Sequence, residues 1–223
     1  MYDLIPGDVI SGCIAFTGFY GWSLTKLMAE HAAKGGLLVD VGANMGYFSL
    51  LWAGLNPSGK VVAFEASPRN VGLFRNNVNR NHLEDRIAVI PKAAGDRTAT
   101  VSFDVGSAEQ TGWGGISAAT SGNSISVPMV RLDEELADRQ IDVLKIDVEG
   151  ADTLVLLGCE RLLRARKIQL IYFEQNVPRM EQLGLAQGEA PQFLRSAGYE
   201  CHNLGESREE WVAYPAGKVE SRK

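Results

Sequence analysis

The stretch "LLVDVGANMGYFSLL", residues 37–51, constrains this chain more than any other. An apolar, β-branched run passes through a glycine-bearing turn directly into an apolar helix, the pattern of a buried strand that feeds a helix across a tight turn. In open α/β sheets that turn lies at the carboxyl end of the strand, where ligands bind. The residues of the turn narrow the ligand. A dinucleotide-binding turn wants G-x-G-x-x-G, whose middle glycine lets a diphosphate approach the backbone. Here Gly42 could open such a motif, but Asn44 puts a side chain at the middle position. A triphosphate loop would need Gly-Lys-Ser/Thr, which does not follow.

The rest of the chain repeats the strand-then-helix rhythm. "KVVAFEA" precedes "PRNVGLFRNNVNRNHL", where Pro68 suits a first helical turn and Ser67 a cap. "RIAVIPKAA" reads as a third strand, "DVLKIDVEG" with the helix "ADTLVLLGCERLLRA" as a fourth unit, and "IQLIYFE" with a helix around "APQFLRSAG" as a fifth. Strands that are apolar almost throughout, separated by amphipathic helices, predict an α/β fold: a Rossmann-like, doubly wound, mostly parallel sheet covered on both faces.

Three regions depart from this rhythm. Residues 1–36 contain a helical pattern ending at paired glycines, which predicts a leading helix belonging to the same domain. Between "TATVSFDV" and "SISVPMV", two strand-like runs, lies a Gly/Ser/Thr-rich insertion expected to sit as a lid near the ligand end of the sheet. The domain proper is expected over residues 37–215, with residues 216–223 a frayed tail.

Bulk properties exclude several classes of function. With 223 residues, 45% hydrophobic, the chain fits one globular domain. Its 22 basic and 27 acidic residues give a net charge of -5, so it lacks the basic footprint of a nucleic-acid or anionic-membrane binder. Cys13, Cys159 and Cys201 have no metal-type or redox-type spacing and read as reduced, small apolar filler. No leader pattern and no apolar run near the ~20 residues of a spanning helix is visible, so a cytoplasmic location is expected. The partner expected is a small molecule.

Two acids point to what the turn holds. Asp40 precedes it, and Glu65 ends the next strand, roughly 20 residues on, the spacing at which a carboxylate meets ribose hydroxyls. A ribose acid without a phosphate loop suits S-adenosylmethionine. Its amino-acid half would lie against residues 42–46, its ribose against Glu65, and its adenine near Ala93, Ala94 and Asp96.

"VDVGANMGYFSL", "VVAFEASPRN", "RLDEEL" and "VLKIDVEGADTLVLLG", in that order, resemble the FkbM family of S-adenosylmethionine-dependent methyltransferases. The resemblance implies a class I methyltransferase fold and O-methylation of natural-product or sugar hydroxyls. It also implies cofactor roles for Asp40, Gly42, Ala43, Asn44, Gly46 and Glu65, with Ala66 beside Glu65 in the same motif. The chain departs from the family pattern at Asp152, where glutamate is usual, and with Gln175 and Asn176 after Glu174.

Methyl transfer from a sulfonium is an in-line displacement, so alignment does much of the work. A hydroxyl nucleophile needs in addition a base or a metal ion, whereas an amine needs only to be neutral. "LKIDVEG" places Asp147 and Glu149 at one strand end, with Lys145 on the same face as Asp147, and "IYFEQN" places Glu174 and Asn176 at the next. Three roles are open for these groups. Asp147, Glu174 and Asn176 could hold Mg²⁺; Asp147 or Glu149 could take the substrate proton directly; or the acids could hold the cofactor's ammonium group and cap the following helix. His31, His82 and His202 are not expected to act as the base. Tyr20, Trp22 and Trp113 are expected either in the core or on the wall of an acceptor pocket. The leading expectation is O-methylation of a small molecule or sugar. N-methylation and a non-catalytic cofactor-binding module are the alternatives, and the sequence carries no information on whether the protein forms a homo-oligomer.

Overall fold

The computed structural model of the protein describes residues 1–107, 109–117, 123–206 and 208–217. In chain order the elements are α1 Val9–Thr17, α2 Trp22–Ala32, β1 Leu37–Val41, α3 Tyr47–Leu55, β2 Lys60–Phe64, α4 Pro68–Arg80, β3 Ile87–Ile90, β4 Ala93–Ala94 and β5 Ala99–Asp104. A 3-10 turn, Thr111–Trp113, leads to β6 Gly115–Ile116, β7 Ser124–Val130, α5 Leu132–Glu135, β8 Ile141–Ile146, α6 Asp152–Leu157 and α7 Glu160–Arg164. β9 Ile168–Glu174, α8 Val177–Gln182, α9 Glu189–Ser196, β10 Tyr199–Asn203 and β11 Glu210–Pro215 complete the chain.

Among the described residues the main sheet has the order β10-β11-β9-β8-β1-β2-β3. β3, β2, β1, β8 and β9 run parallel, and β11 is antiparallel to both of its neighbours. The two-residue period of a strand sorts its side chains onto opposite faces. Val39, Leu144 and Ile171 face one core with Leu156, Leu163 and Leu194, while Leu38, Val143 and Leu170 face the other with Met28, Trp52 and Phe74. Both faces are therefore dry, which is what apolar strands without polar alternation require. Strand order reverses between β1 and β8, and the loops leaving these two strands build the site.

Several local expectations change. "RIAVIPKAA" is not one strand. β3 ends at Ile90, and β4, resuming at Ala93, pairs with β7 in a second sheet of order β4-β7-β5-β6, to which both insertion-flanking strands belong. The leading segment is two helices, α1 and α2, and the helix expected after β8 breaks at Gly158 into α6 and α7. Ser67 occupies the cap position of α4 but makes no side-chain cap bond; its backbone N–H donates to Glu65 instead. Cys13 is exposed rather than core filler, whereas Cys159 and Cys201 are buried. The tail expectation falls mostly on residues 218–223, and part of the insertion on 108 and 118–122, all outside the described residues. Among the described residues no helix is long and apolar enough to cross a membrane.

Candidate active site

The turn after β1 is shaped by steric exclusion. Gly42 has φ +75, and a Cβ added there would sit 1.8 Å from the backbone carbonyl of Asp147; at Gly46, φ +90, it would sit 2.1 Å from the Phe74 ring. The Gly42 and Ala43 amides donate to the Phe64 carbonyl at 3.0 and 3.1 Å, which folds the turn over the end of β2. Asn44 adopts the left-handed region at φ 52, and its N–H donates to Glu65 at 2.7 Å. The other carboxylate oxygen of Glu65 accepts from the Ser67 amide at 2.8 Å. Glu65 thus pins the turn to the start of α4. Burial pushes its pKa up, and these two amides together with the charge of Lys145 only partly offset that rise.

A cavity of about 260 Å³ opens beside this turn. Of the residues expected at a cofactor, Gly42, Ala43, Asn44, Glu65, Ala66, Ala93 and Ala94 line it. Asp40 and Gly46 stand behind the wall: Asp40 is fully buried and accepts from the Ser49 hydroxyl at 2.7 Å. Asp96 does not line the cavity. It pairs with the exposed Arg97 at 3.1 Å, because the chain has by then left the main sheet for β4.

At the far end Asp147, Glu149, Glu174 and Asn176 converge on the same cavity from the ends of β8 and β9. Burial is the first cause of the raised pKa of Glu149, to about 7, with the Asp147 charge adding to it and Arg179 and the Asn176 amide opposing it. Glu174 is pushed up to about 9 by burial, by the charges of Asp147, Asp152 and Glu149, and by a hydrogen bond with Asp147. Asp152 lies behind them, its Oδ1 accepting from the Glu174 amide at 3.1 Å, and burial plus the Asp147 charge raise it to about 7. Such carboxyls change protonation near neutral pH and can exchange a proton with a bound hydroxyl.

Mg²⁺ does not fit this donor set well. Asn176 caps α8 through its Oδ1, which accepts from the Arg179 amide, and its Nδ2 donates to Glu149 Oε2 at 3.1 Å. Both ends of the amide are therefore engaged, and Asp147 and Glu174 share a hydrogen bond. Among the described residues no group of three or more His, Cys, Asp or Glu side chains is placed to hold a metal.

A roof closes over the end of the cavity beside the turn. Asp8, the N-cap of α1, is buried and accepts from the Ser11 amide at 2.7 Å and from the Thr111 amide and hydroxyl at 2.8 and 3.0 Å. Burial pushes Asp8 up, but these bonds outweigh it and hold the carboxyl below its usual range. The Thr111 hydroxyl also accepts from Asn44 Nδ2 at 3.1 Å, and the Thr111 carbonyl from Asn70 at 2.9 Å. The described part of the insertion is therefore latched to both α1 and the turn, and Ile10, Thr111, Gly112 and Gly114 line the cavity. Trp22 and Trp113, two candidates for an acceptor wall, are 62% and 56% exposed and do not line it; Tyr20 does.

Tyr172 and Glu210 also line the far end of the cavity, joined by a 3.0 Å bond from the tyrosine hydroxyl. Neither was anticipated. Tyr172 carried a usable signal, since it stands two residues before Glu174 and so shares its strand face. Glu210 carried none: it reaches the site only because β11 pairs with β9, opposite Glu174.

The parallel sheet with an antiparallel pair at one edge, and a cavity where strand order reverses, are the architecture of class I methyltransferases. Solved structures share it at low identity. The methyltransferase FkbM from Methylobacillus flagellatus KT matches with TM-score 0.56 and 16% identity over 81% of this chain and 43% of that one. The precorrin-6y C5,15-methyltransferase from Geobacter metallireducens GS-15 matches with TM-score 0.52 and 13% identity over 90% and 92% of the two chains. M. capricolum TrmK, in complex with S-adenosylhomocysteine, matches with TM-score 0.51 and 11% identity over 86% and 66%. The sequence profile of the methyltransferase FkbM domain matches residues 40–201, and the chain belongs to that methyltransferase family. It spans less than half the length of the M. flagellatus protein. No curated protein matches the sequence.

Proposed function

We propose that this methyltransferase uses S-adenosylmethionine and methylates a hydroxyl group on a small molecule or sugar. One observation carries the reading: a single cavity joins the Glu65-pinned turn to carboxyls whose pKa values are raised toward and above neutrality. TrmK, which has the same fold, binds S-adenosylhomocysteine, and the residues here suit the same group. Glu65 would face the ribose with the lone pairs its two amides leave free, and Ala66, Ala93 and Ala94 offer a small, flat wall for adenine. When bound, the cofactor supplies a methyl on a sulfonium, to be displaced by a nucleophile held in line.

The chain's own contribution lies at the other end. Glu149, with its pKa at about 7 and its side chain fixed by Asn176, is placed to take the proton of an acceptor hydroxyl, with Asp147 beside it as the second candidate. Glu174, protonated at neutral pH, would donate a hydrogen bond. Hydroxyl-rich acceptors suit such a lining, since each carboxyl can accept from or donate to an OH group.

Calorimetric titration with S-adenosylmethionine and, separately, NADH tests the cofactor. The sulfonium cofactor should bind and NADH should not, and Glu65→Ala should weaken binding by at least about tenfold, the effect of a lost hydrogen bond to a charged group. Mass spectrometry on matched panels of hydroxylated and amine acceptors then tests the rest. Methylation confined to amines would refute the hydroxyl assignment.

A further inference from the structure

Among the described residues Lys145 is the only lysine or arginine that is buried, with 2% of its surface exposed. It stands on β8 directly opposite Asp40 of β1, at the point where strand order reverses. Its Nζ lies 3.0 Å from Asp40 Oδ1, donates to the Gly42 carbonyl at 3.0 Å, lies 3.8 Å from Asp147 Oδ2, and sits 5.4 Å over the Phe48 ring. A buried ion pair is seldom the most stable way to fill such a space, because two charges lose their hydration and an apolar pair of similar volume does not. Packing alone therefore leaves the lysine unexplained. Its geometry supplies a reason, since one ammonium group donates to the carbonyl of the turn residue Gly42 and lies within ion-pair range of the Asp147 carboxylate on the other side of the site. Asp40 serves as the counter-ion, its second oxygen held by Ser49.

We propose that Lys145 is a positioning residue that ties the turn at residues 42–46 to Asp147 at the end of β8, so that the two ends of the cavity are held in one fixed relation. The inference rests on the reading of that turn as the cofactor site. It also assigns Asp40 a different part from direct contact with the cofactor: Asp40 keeps Lys145 charged inside the sheet. Burial works against the ammonium charge, and the neighbouring carboxylates, Asp40 first, outweigh it and leave the lysine pKa raised.

Lys145→Met alone strands the Asp40 charge and is expected to lower stability whatever the lysine does. The deciding variant is the double substitution Asp40→Asn with Lys145→Met, which removes both charges and keeps an acceptor for Ser49. Hydrogen exchange on the cofactor-free protein should show native protection in the sheet but exchange at least about tenfold faster at the amides of residues 42–46. Titration with S-adenosylhomocysteine should show affinity reduced by at least about tenfold, equivalent to 1.4 kcal/mol. Native protection of the turn and native affinity in the double variant would overturn the proposal, leaving Lys145 as a charge partner of Asp40 and nothing more. If the unaltered protein binds no S-adenosylhomocysteine while the double variant still loosens the turn, the cofactor reading fails and the hold of Lys145 on the turn is supported.

Discussion

Asp152→Asn should stabilise this protein, and increasingly so as pH rises. Asp152 opens α6 with 2% of its surface exposed; its Oδ1 accepts from the Glu174 amide, and its Oδ2 is buried without a partner. Burial, reinforced by the charge of Asp147, lifts its pKa from 3.8 to about 7. The folded chain therefore holds this proton more tightly than the unfolded chain does. The stability it contributes is complete below about pH 4, is lost as pH climbs to about 7, and stays lost above that. At 1.36 kcal/mol per pKa unit, the rise from 3.8 to about 7 corresponds to about 4 kcal/mol. Asparagine keeps the oxygen that Glu174 needs and never ionises. Urea unfolding of the cofactor-free protein and the variant, followed by tryptophan fluorescence from pH 4 to pH 8, measures the difference directly. The two should agree within about 1 kcal/mol at pH 4, and the variant should lead by about 2–4 kcal/mol at pH 8. A difference that does not change with pH, or a wild-type advantage at pH 8, would refute the assignment of Asp152 as a buried carboxyl destabilised by its own charge.

Two further substitutions, with Gly72→Ala as a control for the first, test the walls of the cavity. Gly42→Ala drives a Cβ to 1.8 Å from the Asp147 carbonyl at φ +75, so it should lower stability by at least about 2 kcal/mol and remove cofactor binding. Gly72→Ala, inside α4 with nothing within 4 Å, should instead stabilise by about 0.5–1 kcal/mol, and thermal melts of the pair would expose any error in the turn geometry. Thr111→Val keeps the backbone bond to Asp8 but loses the hydroxyl's bonds to Asp8 and Asn44. It should cost about 1–2 kcal/mol of stability and speed release of S-adenosylmethionine in stopped-flow chase experiments. An unchanged release rate would mean that the latch does not govern access.

What could be read in the sequence follows how local each feature is. β1, its turn, α3 and β2 lie within residues 37–64, and each is specified by its own residues and by neighbours a few positions away. Glu65 follows at once, so the strand pattern, the glycine turn and the ribose-spaced acid were all legible, and all belong to one βαβ unit. Features set by distant contacts were not. The break between α6 and α7 falls at Gly158, a position that must be glycine because a Cβ there would meet the Gly95 carbonyl at 2.0 Å, a contact across more than sixty positions that no helical period records. The chain also leaves the main sheet after Ile90 because Ala93 and Ala94 find β7 as a partner, and that misplaced Asp96. α1 is apolar yet buries only Ser11 and Ile14, so its composition gave no stripe from which to infer that it helps roof the cavity.

The same distinction separates the two ends of the site. The turn wall comes from one continuous stretch of chain. The opposite wall combines Tyr20, Glu149, Tyr172, Glu174 and Glu210, and the roof depends on Asp8 and Thr111, which lie 103 positions apart. Each of these residues is ordinary in its own segment: a tyrosine before a helix, an acid at a strand end, a threonine in a glycine-rich loop. They acquire a joint meaning only when β11 pairs with β9 and α1 caps the insertion. On the proposed reading, changes spread over many segments could alter the acceptor end without touching the turn. If that reading holds, the acceptor is to be sought by testing chemistry against Glu149, Glu174 and Glu210 together, not by reading any one motif.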